Sequence, residues 1–291
     1  MSLLERLVAD ELRRPVDPRV VALAEAIAER HPGSLAVLFY GSCLRDASLT
    51  GMLDFYLIVA DYRSAYDRRW LANVNRLLPP NVFPIAQAGL SAKYAMLSLV
   101  DLERECGAHA RDVATLARMA QPVRLVWRSA ELKETLLVRA LTKACRTLLG
   151  RAYALVRSEH LEQLWRAALQ QTYAAELRAE RGGRAEQILA AAPEYYKAVA
   201  AAWASEGGTA ENHDSEEARR WWRRMQRRGR RRHLLRLIKA SLTYTGGAEY
   251  LAWKVERHSG VAVRLRPWQR RHPILAGLLL LPRLIRRGAV R

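Results

Sequence analysis

Cysteine is scarce in this sequence. Its three cysteines, Cys43, Cys106 and Cys145, are odd in number, scattered and without a CxxC pair. This pattern excludes a disulfide framework and gives no sign of a zinc site. The composition is that of a protein from a reducing compartment.

Long apolar runs are also missing. The longest, PILAGLLLLP from Pro273 to Pro282, has about 10 residues, whereas a helix needs about 20 to cross a bilayer. The first twenty residues mix acids and arginines with leucines, which is not the pattern of a secretion signal. The sequence therefore predicts neither a membrane-spanning helix nor a leader segment.

Acidic residues are few compared with basic ones. The chain has 29 Asp and Glu against 48 Lys and Arg, a formal net charge of +19. Such a surface attracts polyanions, either nucleic acid or an anionic lipid surface. Half of the 291 residues are apolar and 26% are charged, which excludes a disordered chain and a polytopic membrane protein. The length favours two domains.

The first third of the chain mixes helix and strand signals. An N-cap at Asp17, a proline after it and the run RVVALAEAIAER predict a helix that ends at His31-Pro32-Gly33. Strands are predicted for SLAVLFY, MLDFYLIV and KYAMLSLV, and PPNVFPI is expected to be extended. Because side chains alternate between the two faces of a strand, Asp54 and Tyr56 are expected on the same face.

From about Glu131 the pattern changes to long segments rich in alanine, leucine and arginine, which are typical of helices. A polar, glycine-containing stretch, SEGGTAENHDSEE, reads as a linker. We therefore predict an α+β protein with these parts: a first domain at 1–127, a helical domain at 128–204, a linker at 205–218, a basic segment at 219–260 that returns to the first domain, and a tail at 261–291.

A glycine-serine step after a strand, followed by an acid on the next strand, is a pattern that binds phosphate and metal. Gly41 lets the backbone approach phosphate oxygens, and the Ser42 hydroxyl can donate to them. Asp54 would bind Mg²⁺. The residues alone leave an alternative open, in which Gly41 only turns the chain and Asp54 caps a nearby backbone group.

The same arrangement is used by nucleotidyltransferases of the polymerase-beta type, which usually carry a second acid where Tyr56 stands. A longer series of motifs resembles the mitochondrial translocator-maintenance-type family of phosphatidate cytidylyltransferases (CDP-diacylglycerol synthases). Within that family, the sequence resembles a bacterial-type member. The motifs are YGSCLRDASLTGMLDFYLIV, WLANVN with Trp70 and Asn73, KYAMLSLVDL and ARMAQPV. The resemblance covers most of residues 35–260, closely as far as Val123 and more loosely beyond it.

The family has a non-acidic residue at the second-acid position, so Tyr56 agrees with it. Two positions depart from the family, because Cys43 and Ala95 stand where it has glycine. Both substitutions lie where they would alter the shape of a pocket.

The resemblance implies a polymerase-beta-type nucleotidyltransferase domain followed by a mainly helical domain. It implies an Mg²⁺-dependent enzyme that joins CTP to phosphatidic acid, giving CDP-diacylglycerol and pyrophosphate. The residues it assigns are Asp54 and Lys93 as catalytic, Asp54 as the metal ligand, and Gly41, Ser42, Arg45, Tyr94 and Arg118 as nucleotide-binding.

Four of the charged residues also have plainer explanations. Lys93 is equally a strand-edge lysine, Arg45 equally a solvated loop residue, and Arg118 a cation at a helix C-terminus. Asp101 is expected to be the N-cap of the helix that follows it, with a role as a third metal ligand as the lesser alternative.

The basic end of the chain is expected to meet a membrane. The run RRWWRRMQRRGRRRHLLRLIK sets tryptophans among arginines, which suits lipid headgroups and equally suits RNA. The tail favours lipid, because nucleic acid offers nothing against which its leucines could be buried. The alternative is that this tail is the last core helix. The residues predicted to bind the membrane are Trp268, Arg270, Arg271, Leu278, Leu279, Leu280, Leu281, Arg286 and Arg287.

The expected partners are CTP, phosphatidic acid and an anionic membrane surface, and nucleic acid is not expected. Arginine and alanine are abundant relative to lysine, which favours the cytoplasmic face of a bacterial-type inner membrane over a mitochondrial inner membrane. Two alternatives stay open: a nucleotidyltransferase with a non-lipid acceptor, and a non-catalytic basic protein that binds RNA or membrane.

Overall fold

The computed structural model describes residues 1–157, 160–175, 183–209 and 214–243, with side chains in the last range described as far as Arg236 and again at Lys239. The predicted membrane-binding residues of the tail, from Trp268 to Arg287, lie outside the described residues. Within the described ranges, no helix has both the length and the apolar content needed to cross a bilayer.

The described elements follow one another along the chain in this order: α1 (Leu3–Arg13), α2 (Pro18–Glu29), β1 (Ser34–Tyr40), α3 (Ser42–Arg45), β2 (Met52–Val59), α4 (Arg69–Leu77), β3 (Asn81–Gln87), β4 (Leu90–Ser98), α5 (Leu99–Glu105), α6 (Val113–Met119), β5 (Arg124–Arg128), α7 (Glu134–Val156), α8 (Leu161–Tyr173), α9 (Arg184–Ala191), α10 (Pro193–Trp203), a π-helical turn (Ala204–Gly208) and α11 (Ser215–Thr243).

The five strands form one mixed sheet in the order β3-β4-β2-β1-β5. β1 pairs antiparallel with both β2 and β5, β2 runs parallel to β4, and β3 and β4 form an antiparallel hairpin. The strands predicted at SLAVLFY and MLDFYLIV are confirmed, as is α2 with its Asp17 cap and its proline in the first turn. The expected α+β class, with a helical C-terminal region, is confirmed.

The two faces of the sheet are covered by different helices. Phe55 and Leu57 belong to a cluster with α2 and α4, whereas Tyr56 and Ile58 belong to a larger cluster with α1 and α6 to α11. The alternation predicted for β2 is therefore confirmed, and Asp54 lies on the face that the helical region covers. Helix α1, which the sequence reasoning did not predict, packs against α7 and α10.

Trp221 and Trp222 lie in the core, which corrects the expectation that they meet headgroups or bases. They are 1% and 2% exposed, and their indole N–H groups donate to Ala108 O at 3.0 Å and to Arg151 O at 3.2 Å. With Ala218 and Met225 they form one apolar stripe of α11. The arginines between them occupy the opposite, exposed side of the helix.

Asp101 is not the N-cap of its helix, which corrects the sequence prediction. Because β4 ends at Ser98, the Ser98 hydroxyl caps α5 and accepts the Asp101 N–H at 3.2 Å. The buried Asp101 carboxylate accepts from the Tyr62 hydroxyl and pairs with Arg104 and Arg111. Both of its oxygens are thus held within a structural network.

The C-terminal half of α11 is bound to the rest of the fold by ion pairs and hydrogen bonds. Arg232 and Arg236 pair with the buried Asp112, the N-cap of α6, at 2.9 and 2.8 Å. The Lys239 ammonium donates to the carbonyls of Leu78 and Pro80 in the loop before β3. These contacts hold a strongly basic helix against the fold.

Lys239 gives the stability of the protein a specific pH dependence. Burial, with Arg236 and Arg232 nearby, lowers the pKa of Lys239 from 10.5 to about 7. Between these values the unfolded chain binds more protons than the folded one, so we expect the free energy of unfolding to rise with pH, by up to about 1.4 kcal/mol per pH unit. Urea unfolding at pH 7 and at pH 9.5 measures the rise. Lys239→Met should remove this component, and an identical rise in both proteins would contradict the assignment.

Candidate active site

The turn between β1 and α3 lies directly on Asp54. Tyr40, the last residue of β1, is the partner of Asp54 in β2. Gly41 follows with φ 97° and ψ −162°, a backbone conformation that essentially only glycine adopts. A Cβ atom at Gly41 would lie 2.8 Å from Asp54 Oδ2. Glycine is therefore required both by the backbone and by the close approach of the carboxylate.

Asp54 and Lys93 form an ion pair across the parallel strands β2 and β4. They are register partners, and Lys93 Nζ lies 3.1 Å from Asp54 Oδ1. Their side chains are 20% and 34% exposed, so the carboxylate faces the turn and remains in contact with solvent. A partly exposed pair of this kind contributes at most about 1 kcal/mol. A charged ligand can therefore rearrange it at low cost.

Tyr56 fills the second-acid position with a buried aromatic ring. The ring stacks on Tyr40, with centroids 4.9 Å apart, and its hydroxyl lies 3.5 Å from Thr115 Oγ1 on α6. In the part of the chain that the structure describes, no three His, Cys, Asp or Glu side chains are grouped to hold a metal ion. Asp54 is thus a single carboxylate on its strand face.

Arg118 and Arg45 approach this region from α6 and α3. The contact between Thr115 and Tyr56 places α6 over β2, and Arg118 stands one helical turn beyond Thr115. Arg118 Nη1 donates to Ala114 O at 2.6 Å. Arg45 Nη1 donates to Gln121 Oε1 at 3.5 Å, which brings the end of α6 to α3. The backbone of Arg45 thus adjoins the glycine turn, and Arg118 belongs to the helix that packs over β2.

Tyr94 does not belong to this group, which corrects the sequence prediction. It is the neighbour of Lys93 in the chain, so its side chain points to the opposite face of β4, where it is buried. Its hydroxyl donates to His31 Nε2 at 2.9 Å, because His31 Nδ1–H donates to the Ala65 carbonyl at 3.0 Å. Burial lowers the pKa of His31, in agreement with a neutral ring.

Ser42 begins α3 directly after the glycine turn and is half-buried. Next to it, Cys43 is buried against the α2 and α4 side of the sheet, and burial raises the pKa of its thiol. Of the predicted nucleotide-binding residues, the structure therefore brings Gly41 to Asp54, with Ser42 next to it in the chain and Arg45 one helical turn further on.

A strongly cationic surface runs along α11 on the side opposite its tryptophans. We call this surface the arginine face; it consists of Arg220, Arg223, Arg224, Arg227, Arg228 and Arg231. At the 3.6-residue period of the helix the same face continues into Leu234 and Leu235, which are 40% and 51% exposed. The surface thus ends in two apolar side chains that are open to solvent.

A second feature, which the sequence reasoning missed, is a cleft of about 180 Å³ between α3 and the start of α10. We call it the α3–α10 cleft. Residues far apart in the chain meet in it, so no local pattern would have revealed it. They are Glu11, Arg14, Leu44, Arg45, Pro122, Arg124, Ala191, Ala192, Pro193, Glu194 and Tyr195.

Gly41→Ala tests the close approach of the turn to Asp54. The added methyl group would displace the carboxylate, and a displacement of about 1 Å lowers turnover by about 100-fold in typical active sites. We expect that loss in an assay of the nucleotidyl transfer that the motif resemblance implies, with a stability loss of about 1–3 kcal/mol from backbone strain. Gly89→Ala is the matched control, because Gly89 also has a positive φ, 76°, but has no atom within 4 Å of a Cβ. It should lose stability and keep turnover; equal losses of turnover in both variants would contradict the role of Gly41.

The fold and the site together define an α+β protein with a glycine turn, an acid and a lysine on one sheet face beside cationic helices. No protein-family model and no curated protein matches the sequence. Among solved structures, the chain is similar to a crystal structure of a nucleotidyltransferase-like protein from Exiguobacterium sibiricum. The match covers 92% of this chain and 90% of that chain at 14% identity and a TM-score of 0.28. A likeness of this degree does not support a function.

Proposed function

We propose that the protein is an Mg²⁺-dependent nucleotidyltransferase that transfers the cytidylyl group of CTP to phosphatidic acid, giving CDP-diacylglycerol and pyrophosphate. The observation that carries the proposal is the contact of the Gly41 turn with Asp54, whose carboxylate is paired with Lys93 and open to solvent. The turn, the acid and the cation are the parts that a triphosphate site needs.

The side chains of the site have separable tasks in this proposal. The backbone N–H groups that follow the Gly41 turn and the Ser42 hydroxyl donate to a phosphate oxygen. Lys93 turns from Asp54 to a non-bridging phosphate oxygen, since its ion pair is weak. Arg118 lies where it can meet the triphosphate from the side of α6.

The residues present fit an Mg²⁺ ion. Proteins usually hold Mg²⁺ through one or two carboxylates, with water and substrate phosphates completing the shell. Asp54 supplies one partly exposed carboxylate, and the substrate would supply the remaining ligands. When bound, the ion neutralises charge on the triphosphate and on the leaving pyrophosphate.

The transfer needs little from the protein beyond positioning. An oxygen of the acceptor phosphate attacks the α-phosphorus of CTP, and the bond from that phosphorus to the bridging oxygen breaks, so pyrophosphate leaves with that electron pair. The acceptor phosphate is already an anion, so no general base is required. This agrees with a site built from one acid and several cations.

The choice of CTP and phosphatidic acid is supported by the motif resemblance, and the membrane setting is supported by α11. The arginine face matches lipid phosphates, and Leu234 and Leu235 match the acyl boundary. Single-stranded nucleic acid is usually bound by exposed aromatic rings, whereas Trp221 and Trp222 are buried. We propose that the protein acts on the cytoplasmic face of a bacterial-type inner membrane.

The test is incubation of the protein with labelled CTP, Mg²⁺ and phosphatidic acid in detergent. Label that extracts into the lipid phase, together with released pyrophosphate, is the expected result. Parallel reactions with ATP, GTP and UTP should transfer far less label. Transfer to an acceptor other than the lipid would overturn the lipid assignment, and no transfer from any nucleotide would overturn the enzyme.

A further inference from the structure

The α3–α10 cleft combines an apolar lining with a cationic edge. Leu44, Pro122 and Pro193 line it with aliphatic carbon, and Arg45 stands at the side of α3. A site of this composition suits a molecule with one anionic group and an apolar part.

The arginines of the cleft differ in how fully they are paired with acids. The buried Glu11 carboxylate pairs with Arg124 and, at 3.2 Å, with Arg14, so one acid balances two arginines, and Glu194 is exposed at the rim. Arg45 instead meets the neutral amide of Gln121 at 3.5 Å, the outer limit of a hydrogen bond. The cleft therefore retains positive charge, and Arg45 is the arginine that a phosphate can engage at least cost.

Arg45 lies close to the candidate active site. The Arg45 N–H donates to the Gly41 carbonyl at 3.2 Å, which closes the single turn of α3. Gly41 is in contact with Asp54, so the backbone of Arg45 lies one helical turn, about 5 Å, from the glycine turn. A phosphate held on Arg45 would be next to the triphosphate.

Tyr196, the neighbour in the chain of the cleft residue Tyr195, carries a buried hydroxyl. Among the described residues, Tyr196 Oη is buried without a hydrogen-bond partner. Burial raises the pKa of Tyr196, so its hydroxyl stays protonated at neutral pH. The region thus contains a polar group whose hydrogen bonding is incomplete.

We infer that the α3–α10 cleft is the acceptor site: Arg45 binds the phosphate monoester of the acceptor, and the apolar lining binds the carbon chain next to that phosphate. The inference rests on the proposed function and deepens it. It also changes the task of Arg45, which the sequence assigned to the nucleotide. The apolar lining distinguishes a lipid phosphate from a small soluble one such as glycerol 3-phosphate.

Arg45→Met separates acceptor binding from nucleotide binding. With dioctanoyl phosphatidic acid we expect the acceptor KM to rise about 10- to 100-fold, the effect of losing a charged hydrogen bond, with the KM for CTP unchanged. Arg13→Met is the matched control. Arg13 is the neighbour in the chain of the cleft residue Arg14 and is similarly exposed, but it pairs with Glu134 outside the cleft. Its loss should therefore change neither the acceptor KM nor the KM for CTP.

Calorimetry without CTP gives a readout that does not depend on turnover. Wild-type protein should bind dioctanoyl phosphatidic acid more tightly than glycerol 3-phosphate or dioctanoylglycerol, and Arg45→Met should lose about 10-fold or more of that affinity. If Arg45→Met fails to fold, as judged by its melting temperature, Arg45→Lys replaces it and should show a smaller loss in the same direction.

The outcomes distinguish the two proposals. Suppose that the wild type turns over but Arg45→Met has an unchanged acceptor KM, or a raised KM for CTP instead. Either result overturns the acceptor site, while the proposed enzyme activity is retained. Equal binding of glycerol 3-phosphate overturns the lipid part of the inference. Absence of transfer from CTP to any acceptor overturns the proposed function itself.

Discussion

Asp54→Asn is expected to abolish nucleotidyl transfer, with kcat reduced by about 1,000-fold or more. Asparagine has the shape of aspartate but lacks the charge that balances Lys93 and that would hold Mg²⁺ in the proposed site. Loss of one preorganised electrostatic group typically costs 100- to 1,000-fold. Here the lost group would be the carboxylate that, among the described residues, fits the proposed metal site. Release of pyrophosphate from CTP in the presence of phosphatidic acid is the measurement.

The fold should survive this substitution. The ion pair of Asp54 with Lys93 is partly exposed, so its loss should change the free energy of unfolding by no more than about 1 kcal/mol. Asp46→Asn is the matched control, because Asp46 lies in the loop between α3 and β2, close to Asp54 in the chain, and is exposed. If Asp54→Asn retained turnover close to that of Asp46→Asn, Asp54 would be a structural acid and the enzyme proposal would be wrong.

Trp221→Ala should produce the largest loss of stability, about 3–5 kcal/mol in the free energy of unfolding. The indole ring is buried and donates to Ala108 O, so its removal leaves a large cavity and an unpaired carbonyl. Urea unfolding monitored by circular dichroism measures the change.

Arg224→Ala serves as the control for this variant, because the exposed Arg224 stands on the opposite side of the same helix. Its effect on stability should be within about 0.5 kcal/mol, while it should weaken binding to vesicles of anionic lipid. The reverse result would be a Trp221→Ala variant that is as stable as wild type but no longer binds vesicles. It would show that the tryptophans contact the membrane instead of the core.

The sequence was informative where a local rule decides the structure. The cap at Asp17, the strand from Met52 to Val59 and the shared face of Asp54 and Tyr56 follow from cap chemistry and two-residue alternation, and all are confirmed. Alternation also separates Tyr94 from Lys93, so that error was avoidable. The motif grouped the two residues as neighbours in the chain, although neighbours on a strand face opposite ways.

Other residues required knowledge of what packs against them. A tryptophan pair among arginines has the same local composition at a membrane surface and in a core, and only the packing of α11 on α6 and α7 buries Trp221 and Trp222. The cap at Ser98 depended on where β4 ends. Arg45 and Pro193 line one cleft only because the tertiary structure brings α3 and the start of α10 to the same place.

By itself, then, the sequence determined the strand that carries Asp54, the glycine turn before it, the α+β class and the excess of positive charge, because backbone preference, alternation and composition are local properties. The tertiary structure alone decided that Gly41 contacts Asp54, that Lys93 pairs with it, and which side of α11 is exposed. Those facts depend on contacts between residues distant in the chain, and such contacts exist only after the sheet and the helices have packed.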